Sequence, residues 1–232
     1  KAEYALSNNE NSNGKAMQVE AFAYFSRMNA SVSYVYASPT FKGYFSNSEF
    51  LTASLNYQIS TKLNLAVNYQ KDARNFERDT LYGVAPYREN FQMGFRYNYI
   101  KNGSISMFSG IQEFEDRMDI KQFFYNEKFY RIEFFQQINR FTVNLQAFFA
   151  KTSNFLNDSF GKSSLYLTNL GYNTNRFSVN VNGTYSILNR YSTKDMEMFV
   201  FGGRMNAQIV NKWDLSFFYQ NTYYLEENYA DR

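Results

Sequence analysis

The stretch from Met198 to Tyr224 reads M-F-V-F-G-G-R-M-N-A-Q-I-V-N-K-W-D-L-S-F-F-Y-Q-N-T-Y-Y. Taken two apart, Phe199, Phe201, Met205, Ala207 and Ile209 fall on one side, and Arg204, Asn206 and Gln208 on the other. After a turn at Val210-Asn211-Lys212 the alternation resumes. Trp213, Leu215, Phe217 and Tyr219 share one side; Asp214, Ser216 and Gln220 share the other. A period of two means extended backbone, because successive side chains of a strand point to opposite faces. The stretch is therefore a hairpin with one face full of rings and one face that is wet.

The same pattern recurs along the chain. A strand at about 16–27 puts Val19, Ala21, Ala23 and Phe25 against Glu20 and Ser26, and a turn at Met28-Asn29 leads to a strand at about 30–38. The strand at about 49–59 sets Leu51, Ala53, Leu55, Tyr57 and Ile59 against Thr52, Ser54, Asn56 and Gln58. Leu63, Leu65, Val67 and Tyr69 follow, opposite Asn64, Asn68 and Gln70. The longest connection, about 73–89, is charged and contains Pro86. Phe91, Met93, Phe95, Tyr97 and Tyr99 then oppose Gln92, Arg96 and Asn98. Lys101-Asn102-Gly103 reads as a three-residue hairpin with Gly103 left-handed. A weaker strand at about 104–114 and a loop to about 126 come next. Tyr130, Ile132, Phe134 and Ile138 oppose Arg131, Glu133 and Gln137, and Asn139-Arg140 is a two-residue turn. Phe141 to Phe149, about 163–172, and Phe177 to Ile187 complete the series, and a loop at about 188–196 leads into the opening hairpin.

Composition narrows the class. Rings make up 20% of the 232 residues, yet mean hydropathy is −0.53. No apolar run approaches the ~18–20 residues of a spanning helix. A chain in which every second residue is polar, and the rest rich in Phe and Tyr, suits a transmembrane barrel. There is no Cys and no His, so thiolate chemistry, His-based triads and the commonest metal ligand are all missing. The 24 basic and 21 acidic residues are scattered, which leaves no nucleic-acid footprint.

The connections sort by length. Turns of ~2–4 residues alternate with connections of ~9–17, the signature of tight turns on one rim and longer loops on the other. The expected fold is all-β: an antiparallel transmembrane β-barrel with about 12 strands visible. Residues 15–225 form the barrel strands and loops; 1–14 and 226–232 read as polar tails or loops. If the short turns lie in the periplasm, both ends fall on the long-loop rim. The expectation is then a portion of a larger barrel of about 14 or more strands.

The wet face supplies the candidate site. Glu20, Arg96, Arg131, Glu133, Arg204 and Asp214 fall on lumen-lining positions, among Asn56, Asn68, Asn144, Gln146, Asn180, Asn182 and Gln208. Such charges either select solutes or pair with one another and fill the interior. Inward rings at Phe22, Tyr24, Phe135, Phe148 and Phe218 favour a partly filled interior. Phe141, Phe177 and Trp213 each open a strand just after a short turn, where an interfacial aromatic girdle belongs. The loop 74–90 either constricts the lumen or lies in solvent. The acidic cluster Glu113, Glu115, Asp116, Asp119 lacks calcium-loop spacing. No metal, cofactor or catalytic residue is expected.

On these grounds residues 15–225 resemble a Gram-negative outer-membrane β-barrel, in architecture and not in any specific motif. The resemblance implies the bacterial outer membrane as location and the lipid bilayer as partner, with other outer-membrane or periplasmic subunits as further partners and no nucleic acid. It implies a non-enzymatic, porin-like role in transport or export, as part of a larger protein or assembly. The alternative is an outer-membrane scaffold or anchor with a filled lumen and partner-binding loops. A soluble β-sandwich adhesin, with its rings packed between two sheets, is the reading to exclude.

Overall fold

The structure, a computed structural model, describes residues 1–9, 12–43, 45–189, 196–210 and 213–224. The expected tail at 226–232, most of the expected loop at 188–196, the Asn211-Lys212 part of the last turn and the side chain of Ile209 lie outside these residues.

Thirteen strands and no helix are found among the described residues. They are β1 (Ala2–Asn9), β2 (Ser12–Tyr24), β3 (Met28–Ala37), β4 (Ser48–Gln58), β5 (Leu63–Arg74), β6 (Pro86–Ile100) and β7 (Gly103–Asp116). Then come β8 (Phe124–Ile138), β9 (Phe141–Asn154), β10 (Ser159–Asn173), β11 (Phe177–Asn189), β12 (Met196–Val210) and β13 (Trp213–Tyr224). All belong to one sheet in which each strand is hydrogen-bonded to its neighbours in sequence. The fold class is all-β and antiparallel.

Contacts divide the chain into two units. One comprises Lys1–Phe95, Ser109–Lys128 and Thr152–Ser159; the other comprises Arg96–Phe108, Phe129–Lys151 and Phe160–Arg232. In the first, the register runs Tyr34 opposite Leu51, Leu51 opposite Lys71, and Ala53 opposite Tyr69. Residues opposite one another share a face, so Tyr34, Leu51, Leu55, Tyr57, Leu65 and Tyr69 form one apolar surface. In the second, Tyr166 faces Tyr185, Tyr185 faces Phe199, and Phe199 faces Tyr223. Slipping any strand by one residue moves its rings to the wet face, which is why the register is fixed.

Four expectations are corrected. Residues 1–14 are not a polar tail or loop: their described part forms β1 and the start of β2, with Ala2 opposite Val19 and Tyr4 opposite Met17. That makes the thirteenth strand. The first short turn lies at Ser26-Arg27 and not at Met28-Asn29, since Phe25 and Met28 exchange backbone bonds of 2.7 and 3.3 Å. In the hairpin at 101–102 the left-handed residue is Asn102 (φ 60°), not Gly103. Asn tolerates that region because its short polar side chain bonds locally. Gly103 is needed for space instead: a Cβ there would strike the Gln136 side chain. The longest connection is shorter than expected, 75–85, and Pro86 opens β6, where a strand can spare the missing donor.

The buried residues of the first unit cluster at the long-connection ends of its strands. They are Ala37, Ser38, Asn47, Ser48, Ala73, Asn75, Ala85, Tyr87 and Asp116. Two left-handed asparagines tie these loops, Asn47 (φ 48°) and Asn75 (φ 49°). Asn47 Nδ2 donates to Asn75 Oδ1 at 2.8 Å, and Asn47 Oδ1 accepts from the Glu77 amide at 3.2 Å. Asn75 Nδ2 also donates to the carbonyls of Asp79 (3.0 Å) and Val84 (3.2 Å), and Asn75 Oδ1 accepts from the Asp79 amide at 2.8 Å. Asn75→Ala removes the four of these bonds that its own side chain makes and leaves a strained left-handed alanine. A local loss on the order of 2 kcal/mol is expected. Trypsin should cut faster after Arg78 in this variant; an unchanged rate would contradict the role given to Asn75.

Candidate functional site

The polar face of the first unit is ordered by its register. Phe22 stands opposite Ser31, Ser31 opposite Ser54, and Ser54 opposite Asn68. One step along, Glu20, Ser33, Thr52 and Gln70 form a second row. Between the rows lies a cavity of about 260 Å³, lined by Ser31, Thr52, Ser54, Asn68, Gln70, Asn90 and Gln92, with Ala53 and Tyr69. The hydroxyls of Ser31 and Ser54 bond each other at 2.6 Å. The Asn90 side-chain oxygen is buried without a hydrogen-bond partner.

A second cavity, about 460 Å³, lies at the long-connection ends of β1–β3. Ala5, Ala16, Val35 and Ala37 line it together with Phe41 and Phe45 from the 38–47 connection. That connection is pinned to β1 and β2. Thr40 Oγ1 donates to the Asn13 carbonyl at 2.8 Å, and the Lys42 amide donates to Ser7 Oγ at 3.2 Å. Gly14 permits the approach, since a Cβ there would collide with the backbone of Thr40 and Phe41. The sequence offered no signal for this contact beyond a glycine in a polar stretch. The connection 75–85 (rather than the expected 74–90) takes part in the asparagine tie instead.

In the second unit the predicted charges sit as follows. Arg96 Nε donates to the buried Ser106 hydroxyl at 3.1 Å. Arg131 lies 3.1 Å from Glu133 as an ion pair, but its Nε makes no aligned hydrogen bond. Its guanidinium stacks 4.8 Å above the Phe108 ring. Arg204 is opposite Asn180 and Phe218, and Asp214 is opposite Gln208. Register and contacts thus bring together Arg131 with Glu133, and leave Arg204 and Asp214 apart from them in sequence register. Glu20 belongs to the first unit, where Gln18 Nε2 donates to it at 2.8 Å. Rings also occupy the polar face here: Phe129, which sequence reading did not single out, stacks on Phe148 at 5.7 Å.

On the apolar face, Phe141 packs on Tyr172 at 4.7 Å and is 60% exposed, and Trp213 is 74% exposed. Phe177 faces Ala207 and is half-buried. Gln136, a polar residue on this face, is buried; it accepts from Tyr99 and donates to the Gln137 carbonyl at 2.9 Å. Its amide is therefore hidden from whatever covers the rings.

Asp116 closes β7 and is fully buried. It lies past the ~9–11 residues that a strand needs to cross a bilayer, counted from the 101–102 turn. Its Oδ1 accepts from the amides of Ala85 (2.9 Å) and Met118 (3.1 Å), and its Oδ2 from Gln122 (3.1 Å). Burial pushes this carboxyl up, but the three backbone donors outweigh burial and hold it below the usual carboxylate range. Neighbouring Glu115 pairs with Arg117 at 3.1 Å and with Lys121. The acidic cluster thus serves loop structure.

No protein-family model matches the chain, and no curated protein matches its sequence. Solved structures do. An anion-selective porin from Comamonas acidovorans superposes with a TM-score of 0.54 at 17% identity, over 78% of this chain and 50% of the porin. The fold is that of an outer-membrane β-barrel. The chain spans half the length of that porin. The CymD monoaromatic hydrocarbon channel matches at a TM-score of 0.40 and 10% identity, over 96% of this chain and 81% of that one.

The lowered Asp116 value sets a pH window. Its stabilisation is fully present above the ordinary carboxylate value, about 4, and is lost as the pH falls from there through the lower folded value. Hydrogen exchange at the Ala85, Met118 and Gln122 amides, corrected for intrinsic rates, should accelerate below about pH 4. Asp116→Asn should abolish that dependence. Protection that stays flat with pH would contradict the assignment.

Proposed function

We propose that this barrel lines a solute path across the bacterial outer membrane, as part of a longer protein or assembly. The observation that carries this is the exposure of the apolar face. Trp213, Phe141, Phe217 and Tyr130 are each more than half exposed. In a β-sandwich those rings would be dry against a second sheet. Left open on nearly every strand, they suit hydrocarbon as the neighbour. The opposite face, with its hydroxyls, amides and spaced charges, then meets water. The porin match supports the reading.

A second reading has its own support. Phe108, Phe129 and Phe148 on the polar face of the second unit, with Arg131 stacked among them, narrow the space available to solutes. A barrel filled this way serves as an anchor or scaffold that presents its loops.

Purified full-length protein in a planar bilayer separates the two. Steady current supports the path; silence in a protein that inserts and shows heat-modifiable migration supports the scaffold. Arg204 has Asn180 and Phe218 as its register neighbours, whereas Arg131 already has Glu133 beside it. Arg204→Glu should therefore move the reversal potential toward cations by more than Arg131→Glu does. Equal or absent shifts would remove Arg204 from the wall of the path.

A further inference from the structure

We infer that the polar face of β2–β6 in the first unit is a binding subsite for a neutral, polyhydroxylated solute of the saccharide class. The inference rests on reading that face as the wall of a solute path. Three observations on one surface support it.

The cavity there is lined by hydroxyls and carboxamides: Ser31, Thr52, Ser54, Asn68, Gln70 and Asn90. None of these carries a formal charge, in a chain where charged residues are 19% of the total. Hydroxyls and amides offer donors and acceptors side by side. That is the complement of a ring of sugar hydroxyls, which also donate and accept. Among the lining residues an anion would find amide donors but no cation to neutralise it, and a cation would find no carboxylate, Glu20 lying two strands away from Thr52 in the same row.

The lining is not used up internally. Asn90 Oδ1 is buried with no partner, although a buried acceptor left unmade is costly. An arriving hydroxyl would satisfy it. The single bond between Ser31 and Ser54 leaves both hydroxyl oxygens able to accept further.

A flat apolar surface lies at the end of the row. Phe22, opposite Ser31, and Tyr24, opposite Asn29, share the polar face and are 59% and 75% exposed. A pyranose has one such flat C–H face, and an aromatic ring on a wet surface removes it from water. The cavity, about 260 Å³, is just below the usual range for drug-sized ligands and suits a single sugar ring.

The test uses the full-length protein in detergent, with maltose as probe and gluconate as a charged polyol control. Saturation-transfer NMR reads binding, and planar-bilayer current is recorded separately. Maltose is expected to bind saturably, and gluconate much more weakly. Asn68→Leu and Phe22→Ala, each checked for heat-modifiable migration, should weaken maltose by about tenfold, the effect of losing one good contact. Tyr57→Ala, on the apolar face, should leave binding unchanged. Absence of maltose binding, equal binding of gluconate, or binding unaltered in both polar-face variants would overturn the inference. A protein that conducts but does not bind maltose keeps the path and loses the subsite. One that binds maltose but passes no current keeps the subsite and loses the path.

Discussion

In hydrocarbon a peptide group has no water to bond, so every N–H and C=O must find its partner within the protein. Reading the ring-rich face as lipid-facing places this sheet under that constraint. Each strand from β2 to β12 is hydrogen-bonded to the strand before and after it in sequence, and β1 and β13 each pair with one neighbour. Pairing of this kind uses the backbone edges and leaves both faces free. One face is then available for rings and the other for hydroxyls, amides and charges. The alternation in the sequence is the trace of that division of labour.

At the long connections, outside the proposed bilayer, the constraint changes. Loops can bond water, yet the first unit buries several polar groups there. Asn47 and Asp116 accept backbone amides from a connection about 30 residues away, and Asn75 ties its own connection together while bonding Asn47. These bonds do for the loops what the ladder does for the strands. Gln136, the one buried polar side chain on the apolar face of the second unit among the described residues, obeys the same rule, satisfied by Tyr99 and by a backbone carbonyl.

Much of the fold was legible because period two is a local signal. The strands from Leu51 to Tyr69 and from Phe199 to Tyr219 fall on their faces by alternation alone, and the two-residue turn expected at Asn139-Arg140 is there, with Asn139 left-handed at φ 53°. What failed was non-local. β1 is polar in composition, and only its pairing with β2 makes it a strand. The turn carries no local sign that Gly103 faces Gln136, 33 positions away, while Asn102 takes the left-handed conformation. The candidate site divides in the same way. Face assignments of Arg131, Glu133, Arg204 and Asp214 follow from alternation. The inward approach of Phe41, the stacking of Phe129 and the orphaned oxygen of Asn90 depend on contacts across strands.

The central claim is that lipid, and not protein, covers the ring-rich face. The chain contains one tryptophan, Trp213, and it is exposed on that face. Its fluorescence in reconstituted vesicles tests the claim most directly. The account predicts blue-shifted emission, quenched by lipids brominated near the headgroup and poorly quenched by aqueous acrylamide. Emission at the wavelength of a water-exposed indole, quenched by acrylamide and indifferent to brominated lipid, would contradict it.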